Sequence, residues 1–187
     1  MSPPRLRPAG AEARAVTTDP PLRDGSRLPD HWTWRTGPQV PGAAAIVDVD
    51  GVLSDASHRQ WHLDGPVRDW NGFFAAAVGD RPLTRHAELV RDLDEVLQVV
   101  LLTARPFRLR QLTLDWIERH GLRWDLLALR GPAQDMVHSV RFKRQALGLL
   151  RSFGFVPAFA VEDDPRIVEM YAAESLPCLY VHSGYYG

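Results

Sequence analysis

The stretch that decides the fold is AAAIVDVDGV, residues 43–52. Its first five residues form an unbroken apolar run, which is typical of a strand buried on both faces of a parallel sheet. Asp48 and Asp50 follow at positions i and i+2, so their side chains point to the same side, and Gly51 ends the strand. Two carboxylates this close repel each other unless they share a cation or a proton. The stretch therefore predicts a divalent metal site and a division of labour between nucleophile and acid.

Two other interpretations of the acidic pair were weighed. Asp-x-Asp-Gly is common in calcium loops, but an EF-hand needs a third ligand before its glycine and a glutamate later in the loop. Here Gly51 comes too early, and the motif follows a buried strand. A chance pair of acids at a strand end is the second alternative. The motif alone does not exclude it, so the rest of the chain has to decide.

Composition limits the classes of protein that fit. The 187 residues are enough for one domain with a sizeable core, and 22 basic against 23 acidic residues indicate neither nucleic acid nor membrane by themselves. Cys178 is the single cysteine, so no internal disulfide can form, which fits a reducing cytosol and predicts a cytoplasmic protein. No apolar run approaches the roughly 20 residues of a membrane span, and no secretion signal is evident at the start. The oligomeric state is left open.

One compositional bias is informative. Of the 22 basic residues, 21 are arginine and only Lys143 is lysine. Arginine and lysine differ in shape, hydration and pairing geometry, so a compact ammonium group could be required at this position. A lysine placed there by chance is the alternative.

The chain divides into an arm and a domain. Residues 1–41 hold eight of the fifteen prolines and show no apolar periodicity, which predicts a disordered or loosely attached arm. Trp32 and Trp34, near its end, are expected to pack onto the domain formed by residues 42–187. Within that domain, residues 54–82 are predicted to be a small cap-like insertion after the first strand.

Strands and helices alternate beyond residue 42. This pattern predicts an α/β fold with a Rossmann-like, doubly wound, parallel five-stranded sheet. After the strand that begins at Ala43, the predicted strands are 97–102, 126–129, 158–161 and 178–181. The predicted helices are 85–95, 106–120, 140–153 and 165–174.

Polar residues follow three of the predicted strands. They are Asp48 and Asp50, then Thr103 and Arg105, then Glu162, Asp163 and Asp164. Because the carboxyl ends of parallel strands share one edge of a sheet, these groups are expected to converge on one crevice, with Lys143 at its mouth. Carboxylates, a hydroxyl and an ammonium group around one crevice suit phosphoryl transfer.

At this point the sequence resembles the haloacid dehalogenase superfamily of aspartate-nucleophile phosphatases. The motifs DVDGV at 48–52, Thr103, Lys143 and Glu162-Asp163 match its four signatures in order, over roughly residues 43–184. More specifically, the chain is similar to the 3′-phosphatase domain of phage polynucleotide kinase and its stand-alone bacterial relatives. That similarity rests on SHR at 57–59, Asp69-Trp70 with Phe73-Phe74, VLLTAR at 100–105 and AVEDDPRIVEMY at 160–171.

The resemblance implies a role for each matching residue. Asp48 would form an aspartyl-phosphate, Asp50 would protonate the leaving oxygen and later activate water, and Thr103 and Lys143 would hold the phosphoryl group. The cofactor would be Mg²⁺, held by Asp48, the Asp50 carbonyl and Asp163, with Glu162 beside it. The substrate-binding candidates are His58, Arg59, Trp70 and Arg105.

Two departures from the family pattern concern the substrate and the metal. The usual arginine and aspartate run before the lysine reads here QDMVHSVRF, residues 134–142, and the usual aspartate pair has become Glu162-Asp163. No kinase half is present, so only dephosphorylation is inferred.

The resulting hypothesis is a Mg²⁺-dependent phosphomonoesterase for nucleic-acid 3′-phosphate ends or nucleotides. The alternatives are a phosphatase for a small sugar or metabolite phosphate and a non-catalytic binding module on the same fold. His58 and His62 are spaced to share a helix face and a zinc ion, although substrate contact or packing explains them better. The insertion aromatics Trp61, Trp70, Phe73 and Phe74 could stack nucleobases or pack in the core.

Overall fold

The computed structural model describes residues 27–186. Residues 1–26 of the predicted arm, and Gly187, lie outside the described residues. The described chain has eight strands and five α-helices. The strands are β1 (Trp32–Trp34), β2 (Ala43–Val47), β3 (Ser54–Asp55), β4 (Arg81–Pro82), β5 (Gln98–Pro106), β6 (Leu126–Arg130), β7 (Val156–Glu162) and β8 (Cys178–Tyr180). The helices are α1 (Trp70–Ala75), α2 (Thr84–Arg91), α3 (Arg110–Arg119), α4 (Ser139–Ser152) and α5 (Pro165–Ala173).

The central sheet has six strands in the order β1-β6-β5-β2-β7-β8. Strand β2 lies inside the sheet and pairs in parallel with β5 and β7, and the β5–β6 and β7–β8 pairs are also parallel. The predicted Rossmann-like α/β fold and its five parallel strands are therefore confirmed. The order changes direction at β2, and such a switch point places ligands at the carboxyl ends of the strands.

A sixth strand was not predicted. Strand β1 pairs antiparallel with β6, with Trp32 opposite Ala128 and Trp34 opposite Leu126. Trp32 is buried in the core, and Trp34 packs against the same cluster, which confirms that both tryptophans pack onto the domain. Residues 32–34, assigned from the sequence to the arm, thus belong to the sheet, because their aromatic side chains bury more apolar surface there than in solvent.

Apolar side chains cover both faces of the sheet. Alternation along β2 sends Ile46 into one core cluster, with Leu147 of α4 and Ile167 of α5, and Val47 into the other, with Trp116 of α3. Helices on both faces bury both sides of the parallel strands, which explains their continuous apolar sequence. Among the described residues, no helix is both long and apolar enough to cross a membrane.

Strand β5 is longer than predicted. It continues to Pro106, whose extended backbone (ψ 153°) carries the chain past the point where a helix was expected to start. A 3₁₀ turn, Phe107–Leu109, then precedes α3. The predicted helix start at Pro106 was wrong. Proline fits an extended backbone at the end of a strand as well as the first turn of a helix, so its presence did not distinguish the two. As a consequence, Thr103 and Arg105 belong to a strand and are fixed by the sheet.

The insertion between β2 and α2 has a small sheet at its base. Strands β3 and β4 pair antiparallel, with Ser54 opposite Pro82. Between them the chain forms a 3₁₀ helix over Ser57–Leu63, then α1, then a second 3₁₀ helix over Ala76–Gly79. The insertion begins just after Asp50, so its first residues lie directly beside the carboxyl end of β2.

Candidate active site

Asp48 and Lys143 form an ion pair at the carboxyl end of β2. The Asp48 N–H donates to the Val161 carbonyl at 3.1 Å, which continues the β2–β7 pairing for one residue beyond the strand. Lys143 Nζ lies 3.0 Å from Asp48 Oδ1 and 2.6 Å from Glu162 Oε2. Lys143 is only 1% exposed, so it lies under the crevice and not at its mouth as expected. A single ammonium group therefore holds two carboxylates in place.

Burial changes the acidity of this pair. It raises the pKa of Asp48 well above its usual range, and the neighbouring Glu162 adds to the rise while Lys143 opposes it. Burial alone would lower the pKa of Lys143, but Asp48 and Glu162 outweigh it and raise that pKa. Lys143 therefore carries its charge at neutral pH, and Asp48 depends on a cationic partner to remain ionised.

Asp163 is the carboxylate without a partner. Both of its oxygens are buried and accept no hydrogen bond. Burial and the charge of Asp48 raise the pKa of Asp163 to about 7. Gly51, at φ +82°, makes room for this side chain, since a Cβ there would lie 1.9 Å from Asp163 Oδ2. A buried carboxylate of this kind needs a cation or a proton.

Three carboxylates are placed to hold such a cation. Asp48, Glu162 and Asp163 each offer an oxygen, and these atoms lie within 4.8 Å of one another. This is the only such group of acids, histidines or cysteines among residues 27–186. Lys143 already pairs with one oxygen of Asp48 and one of Glu162, whereas both Asp163 oxygens are unsatisfied, so Asp163 is the clearest candidate ligand. The oxygen-only donor set fits Mg²⁺.

Asp50 is bound by two arginines. Arg59 Nη2 lies 2.5 Å and Arg105 Nη2 2.6 Å from Asp50 Oδ1, and Arg105 Nε donates to Asp50 Oδ2 at 3.1 Å. Burial acts to raise the pKa of Asp50, but Arg105 and Arg59 outweigh it and hold that pKa far below its usual range. The Asp50 side chain is therefore an ionised carboxylate directed at arginine, and only its backbone carbonyl would remain for a metal.

Arg59 and Arg105 are both fully buried, although we expected them to contact substrate directly. In the structure they contact Asp50. Their burial follows from the insertion, because Arg59 also packs its guanidinium 4.1 Å above the Phe73 ring. Their substrate contact stays a prediction.

Asp80 holds the two arginines from the other side, and sequence reasoning missed it. It is 4% exposed and accepts from Arg59 Nε at 2.8 Å, from Arg105 Nη2 at 2.9 Å and from Ser54 Oγ at 2.5 Å. His58 Nε2 lies 3.0 Å from the same carboxylate. No motif surrounds Asp80 in the sequence, so no local signal marked it. It connects the end of the insertion to Asp50.

The remaining predicted residues lie at different depths. Thr103 is 1% exposed on β5, beside β2, and its Oγ1 accepts from the Arg105 N–H at 3.2 Å. His58 is half-exposed and pairs with Asp80, and His62 pairs with Asp69 at 3.1 Å. The two histidines thus have separate carboxylate partners and share no metal site. Trp70 is 46% exposed on α1 and stacks on Phe74.

Comparisons with solved structures give the fold a context. No family model matches the chain, and no curated protein matches it. The chain is 26% identical to a chain from a structure of a Pnkp1/Rnl/Hen1 complex, with a TM-score of 0.59 over 77% of this chain and 47% of that one. A second structure, of the Pnkp1/Rnl/Hen1 RNA repair complex, gives 24% identity and a TM-score of 0.59 over 80% and 45%. The chain thus spans about half the length of these neighbours.

A third neighbour is a haloacid dehalogenase-like hydrolase from Streptococcus pneumoniae. It is 13% identical, with a TM-score of 0.51 over 73% of this chain and 83% of that one. The chain has the haloacid dehalogenase fold. The resemblance predicted from the four motifs is confirmed at the level of the fold, and in this fold Asp48, Thr103, Lys143 and Asp163 all lie at or beside the carboxyl edge of the sheet.

Proposed function

We propose that the chain is a Mg²⁺-dependent phosphomonoesterase that uses Asp48 as nucleophile and acts on nucleic-acid 3′-phosphate ends or nucleotides. The observation that carries the proposal is the Asp48, Lys143 and Asp163 arrangement. One buried ammonium group lies 3.0 Å from Asp48, and one buried carboxylate lacks any hydrogen-bond partner. A binding module would have no need of so costly a buried cluster.

The covalent step belongs to Asp48. Its free carboxylate oxygen attacks phosphorus, the bond between phosphorus and the ester oxygen breaks, and an aspartyl-phosphate forms. Lys143 and the Thr103 hydroxyl stabilise the charge on the transferring oxygens. Water then attacks phosphorus, which releases inorganic phosphate and restores the carboxylate.

Asp50 moves the protons in this scheme. As an ionised carboxylate held by two arginines, it suits the second half-reaction, in which it takes a proton from the attacking water. In the first half-reaction the leaving oxygen needs a proton. Asp50 takes up a proton from solvent once the arginine contacts loosen, and donates it to that oxygen. The pair Arg59 and Arg105 thereby sets when Asp50 acts as acid and when it acts as base.

Asp48, Asp163 and the Asp50 carbonyl would hold Mg²⁺. When bound, the ion would supply Lewis-acid neutralisation of the phosphate oxygens. The local charge favours a divalent cation. Five carboxylates lie here with three cations and the histidine His58, which pairs with Asp80. With His58 counted as neutral, the formal charge is −2 when all the others are ionised. The carboxylates are Asp48, Asp50, Asp80, Glu162 and Asp163, and the cations are Arg59, Arg105 and Lys143.

The insertion supports a substrate larger than a simple phosphate. Trp61 is 66% and Trp70 46% exposed, while Phe73 anchors α1 in the interior. Arg108 donates to Asn71 at 3.1 Å and lies 5.9 Å from the centre of the Phe74 ring. Exposed aromatic rings beside an arginine suit stacking on nucleobases, and one structural neighbour comes from an RNA repair complex.

Phosphate release from a substrate panel tests the proposal. The panel contains 3′-phosphorylated oligonucleotides, nucleoside monophosphates, sugar phosphates and p-nitrophenyl phosphate, each with Mg²⁺ and with EDTA. Asp48→Asn keeps the shape of the side chain but removes the attacking carboxylate, and Asp92→Asn, at an exposed acid after α2, serves as the matched control.

We expect turnover of the nucleic-acid or nucleotide esters by the parent and by Asp92→Asn, no turnover by Asp48→Asn, and loss with EDTA that Mg²⁺ restores. A preference for sugar phosphates would show that the substrate is a small metabolite and not a nucleic acid or nucleotide. The proposed mechanism at Asp48 would still hold. Absence of any Asp48-dependent phosphate release would reject the enzyme and leave the binding module.

A further inference from the structure

The segment after β8, residues 181–186, crosses the mouth of the candidate site. It starts beside the metal-binding loop, since the Val181 N–H donates to the Glu162 carbonyl at 2.9 Å. It reaches the insertion at its other end through Tyr185. These six residues, called here the post-β8 segment, have no assigned role in the sequence motifs or in the proposed mechanism.

Tyr185 fastens the segment to the insertion. Its hydroxyl accepts from the Ala56 N–H at 2.8 Å and donates to Asp55 Oδ1 at 3.0 Å. Burial and Asp55 raise the pKa of Tyr185 above its usual range, so the hydroxyl keeps its proton. Asp55 follows Ser54, whose Oγ lies 3.3 Å from Asp50 Oδ1. Tyr185 therefore holds the backbone that leads directly to Asp50.

Tyr186 lies on the opposite side, over the start of α5. Its ring centre is 5.6 Å from the Arg166 guanidinium, which is itself held by Asp164 at 2.7 Å. The Arg166 contact places the ring beside the loop that carries Asp163 and Asp164. Burial raises the pKa of Tyr186, and Asp163 and Asp48 add to the rise. Even so, Tyr186 is 39% exposed, so part of its surface faces the entrance.

The post-β8 segment lies closer to the solvent than the residues proposed to bind the phosphoryl group. Asp48, Thr103 and Lys143 are 8%, 1% and 1% exposed at the base of the site, where the transferred phosphoryl group must sit to be attacked. Tyr186 lies further out. In a phosphomonoester whose phosphoryl group contacts Asp48, the part that extends outward past the acidic residues is the leaving group.

We propose that the post-β8 segment is a wall of the active site, in which Tyr186 contacts the leaving group of the phosphomonoester and Tyr185 is the positioning residue that fixes the wall. The inference rests on the proposed function. An aromatic ring beside an arginine favours leaving groups with a flat ring, such as nucleosides or aryl alcohols. Specificity is then set partly by residues outside the four motifs.

The test compares esters with a ligand that has no leaving group. The variants are Tyr186→Ala, Tyr186→Phe and Tyr185→Phe, with Asp92→Asn as a control that changes an exposed acid after α2. For each, KM and kcat are measured with p-nitrophenyl phosphate and a nucleoside 3′-monophosphate. The inhibition constant of inorganic phosphate measures phosphate binding at Asp48, Thr103 and Lys143, the deepest part of the site.

We expect Tyr186→Ala to raise KM for both esters about five- to tenfold, the usual effect of losing one aromatic contact. Tyr186→Phe should retain the parent KM, and Tyr185→Phe should raise it. The inhibition constant of phosphate should stay within about twofold in every variant, because Asp48 and Lys143 are unchanged. Asp92→Asn should match the parent in all measurements.

Three results overturn the inference in distinguishable ways. If Tyr186→Ala and Tyr185→Phe turn over both esters with the parent KM, the post-β8 segment is not a wall of the site. The proposed function is unaffected by that result. Weaker phosphate inhibition in parallel with the rise in KM would show a general disturbance of the site and reject a specific leaving-group contact. If the parent shows no Asp48-dependent turnover of either ester, the proposed function and the wall fail together.

Discussion

At the scale of single residues, Lys143 forms ion pairs with two acidic residues of the site. Its Nζ contacts Asp48 at 3.0 Å and Glu162 at 2.6 Å with almost no access to solvent. A guanidinium is larger and forked, and it cannot occupy this point between two carboxylates without moving them. The single lysine of an arginine-rich chain thus lies where a compact cation fits best.

Lys143→Arg should lose most of the activity although the charge is kept. A misplacement of about 1 Å can cost on the order of a hundredfold in rate, so kcat is expected to fall by that order. Because Lys143 is buried, the variant should also lose stability, in contrast to what a lysine at the mouth would do. Steady-state kinetics and urea unfolding measure the two effects.

Arg144→Lys is the matched control for that substitution. Arg144 is the next residue on α4, half-exposed and paired with Glu174 at 3.2 Å. Exchange of one exposed cation for another should change stability by less than about 0.5 kcal/mol and leave kcat unaltered. Parental kcat in Lys143→Arg would mean that the ammonium group is incidental.

Much of the site could be predicted because it lies at strand ends. Asp48 and Asp50 were predicted from their i, i+2 spacing after the apolar run of β2. Asp163 was predicted because it follows the apolar run of β7. The partners of Asp50 were not predictable as such. Arg59 and Arg105 were predicted from their motifs as substrate-binding residues, but their contact with Asp50 depends on how the insertion folds back.

At the scale of elements, the insertion and the sheet meet at Asp80. This residue follows the last 3₁₀ turn of the insertion and accepts hydrogen bonds from two buried arginines that also bind Asp50. Such a network couples the conformation of the insertion to the position of Asp50. Asp80 escaped prediction because a single acid in a polar insertion carries no periodic or motif signal.

Asp80→Asn should therefore impair both stability and catalysis. Loss of one charge from a buried ion-pair network costs about 3 kcal/mol, and the displaced arginines should lower kcat more than they raise KM. Asp69→Asn is the control, since Asp69 caps α1 from an exposed position and asparagine caps helices equally well. Equal behaviour of the two variants would contradict the coupling.

Strand β1 provides a second test at this scale. Trp32 is 7% exposed in the sheet, whereas Trp61 is 66% exposed on the insertion. Trp32→Ala should cost about 3–5 kcal/mol of unfolding free energy, and Trp61→Ala less than about 0.5 kcal/mol. Urea unfolding of both variants decides the matter. Equal stability in the two would return residues 32–34 to a loosely attached arm.

The elements themselves were largely predictable from apolar runs. Strands β2, β6 and β7 appear within two residues of the expected positions. Strands β2 and β6 are buried along most of their length and read as apolar runs, and β7 is buried over its last three residues. Strand β1 has three residues and no such run, so its pairing with β6 depends on tertiary packing. The extension of β5 beyond residue 102 was not predicted, because Thr103 and Arg105 are polar and interrupt the apolar run.

At the scale of the whole molecule, an overall charge near neutrality conceals a strongly acidic site. The formal net charge is −1, yet Asp48, Glu162 and Asp163 converge at one edge of the sheet with Lys143 as the cation between two of them. Folding therefore works against local repulsion there unless a cation or protons are bound.

The metal-free protein should lose stability as pH rises from about 4 to about 7. Burial raises the pKa of Asp163 to about 7 from an ordinary 3.8, so in this window the folded state holds a proton that the unfolded state has released. The raised pKa of Asp48 acts in the same direction. His31, whose pKa is lowered by burial, works against the trend near pH 6.5.

Mg²⁺ should reverse this loss at neutral pH. At a concentration a hundredfold above its Kd, the ion would add about 2.7 kcal/mol to the unfolding free energy, and the gain should shrink as pH falls and Asp163 becomes protonated. Thermal unfolding with and without Mg²⁺ measures both effects. Asp163→Asn should flatten the pH profile and abolish the response, and a full Mg²⁺ response in that variant would contradict the assignment.

The central claim is that the phosphoryl group passes through Asp48, and chemical trapping tests it most directly. The protein is mixed with Mg²⁺ and a substrate found in the panel, quenched in acid, and treated with borohydride, which reduces an acyl phosphate to an alcohol. Peptide mass spectrometry then locates the reduced residue. The account predicts homoserine at position 48 in the parent, and none without substrate or in Asp48→Asn. Steady turnover with no reduced residue, or reduction at another carboxylate, would contradict it.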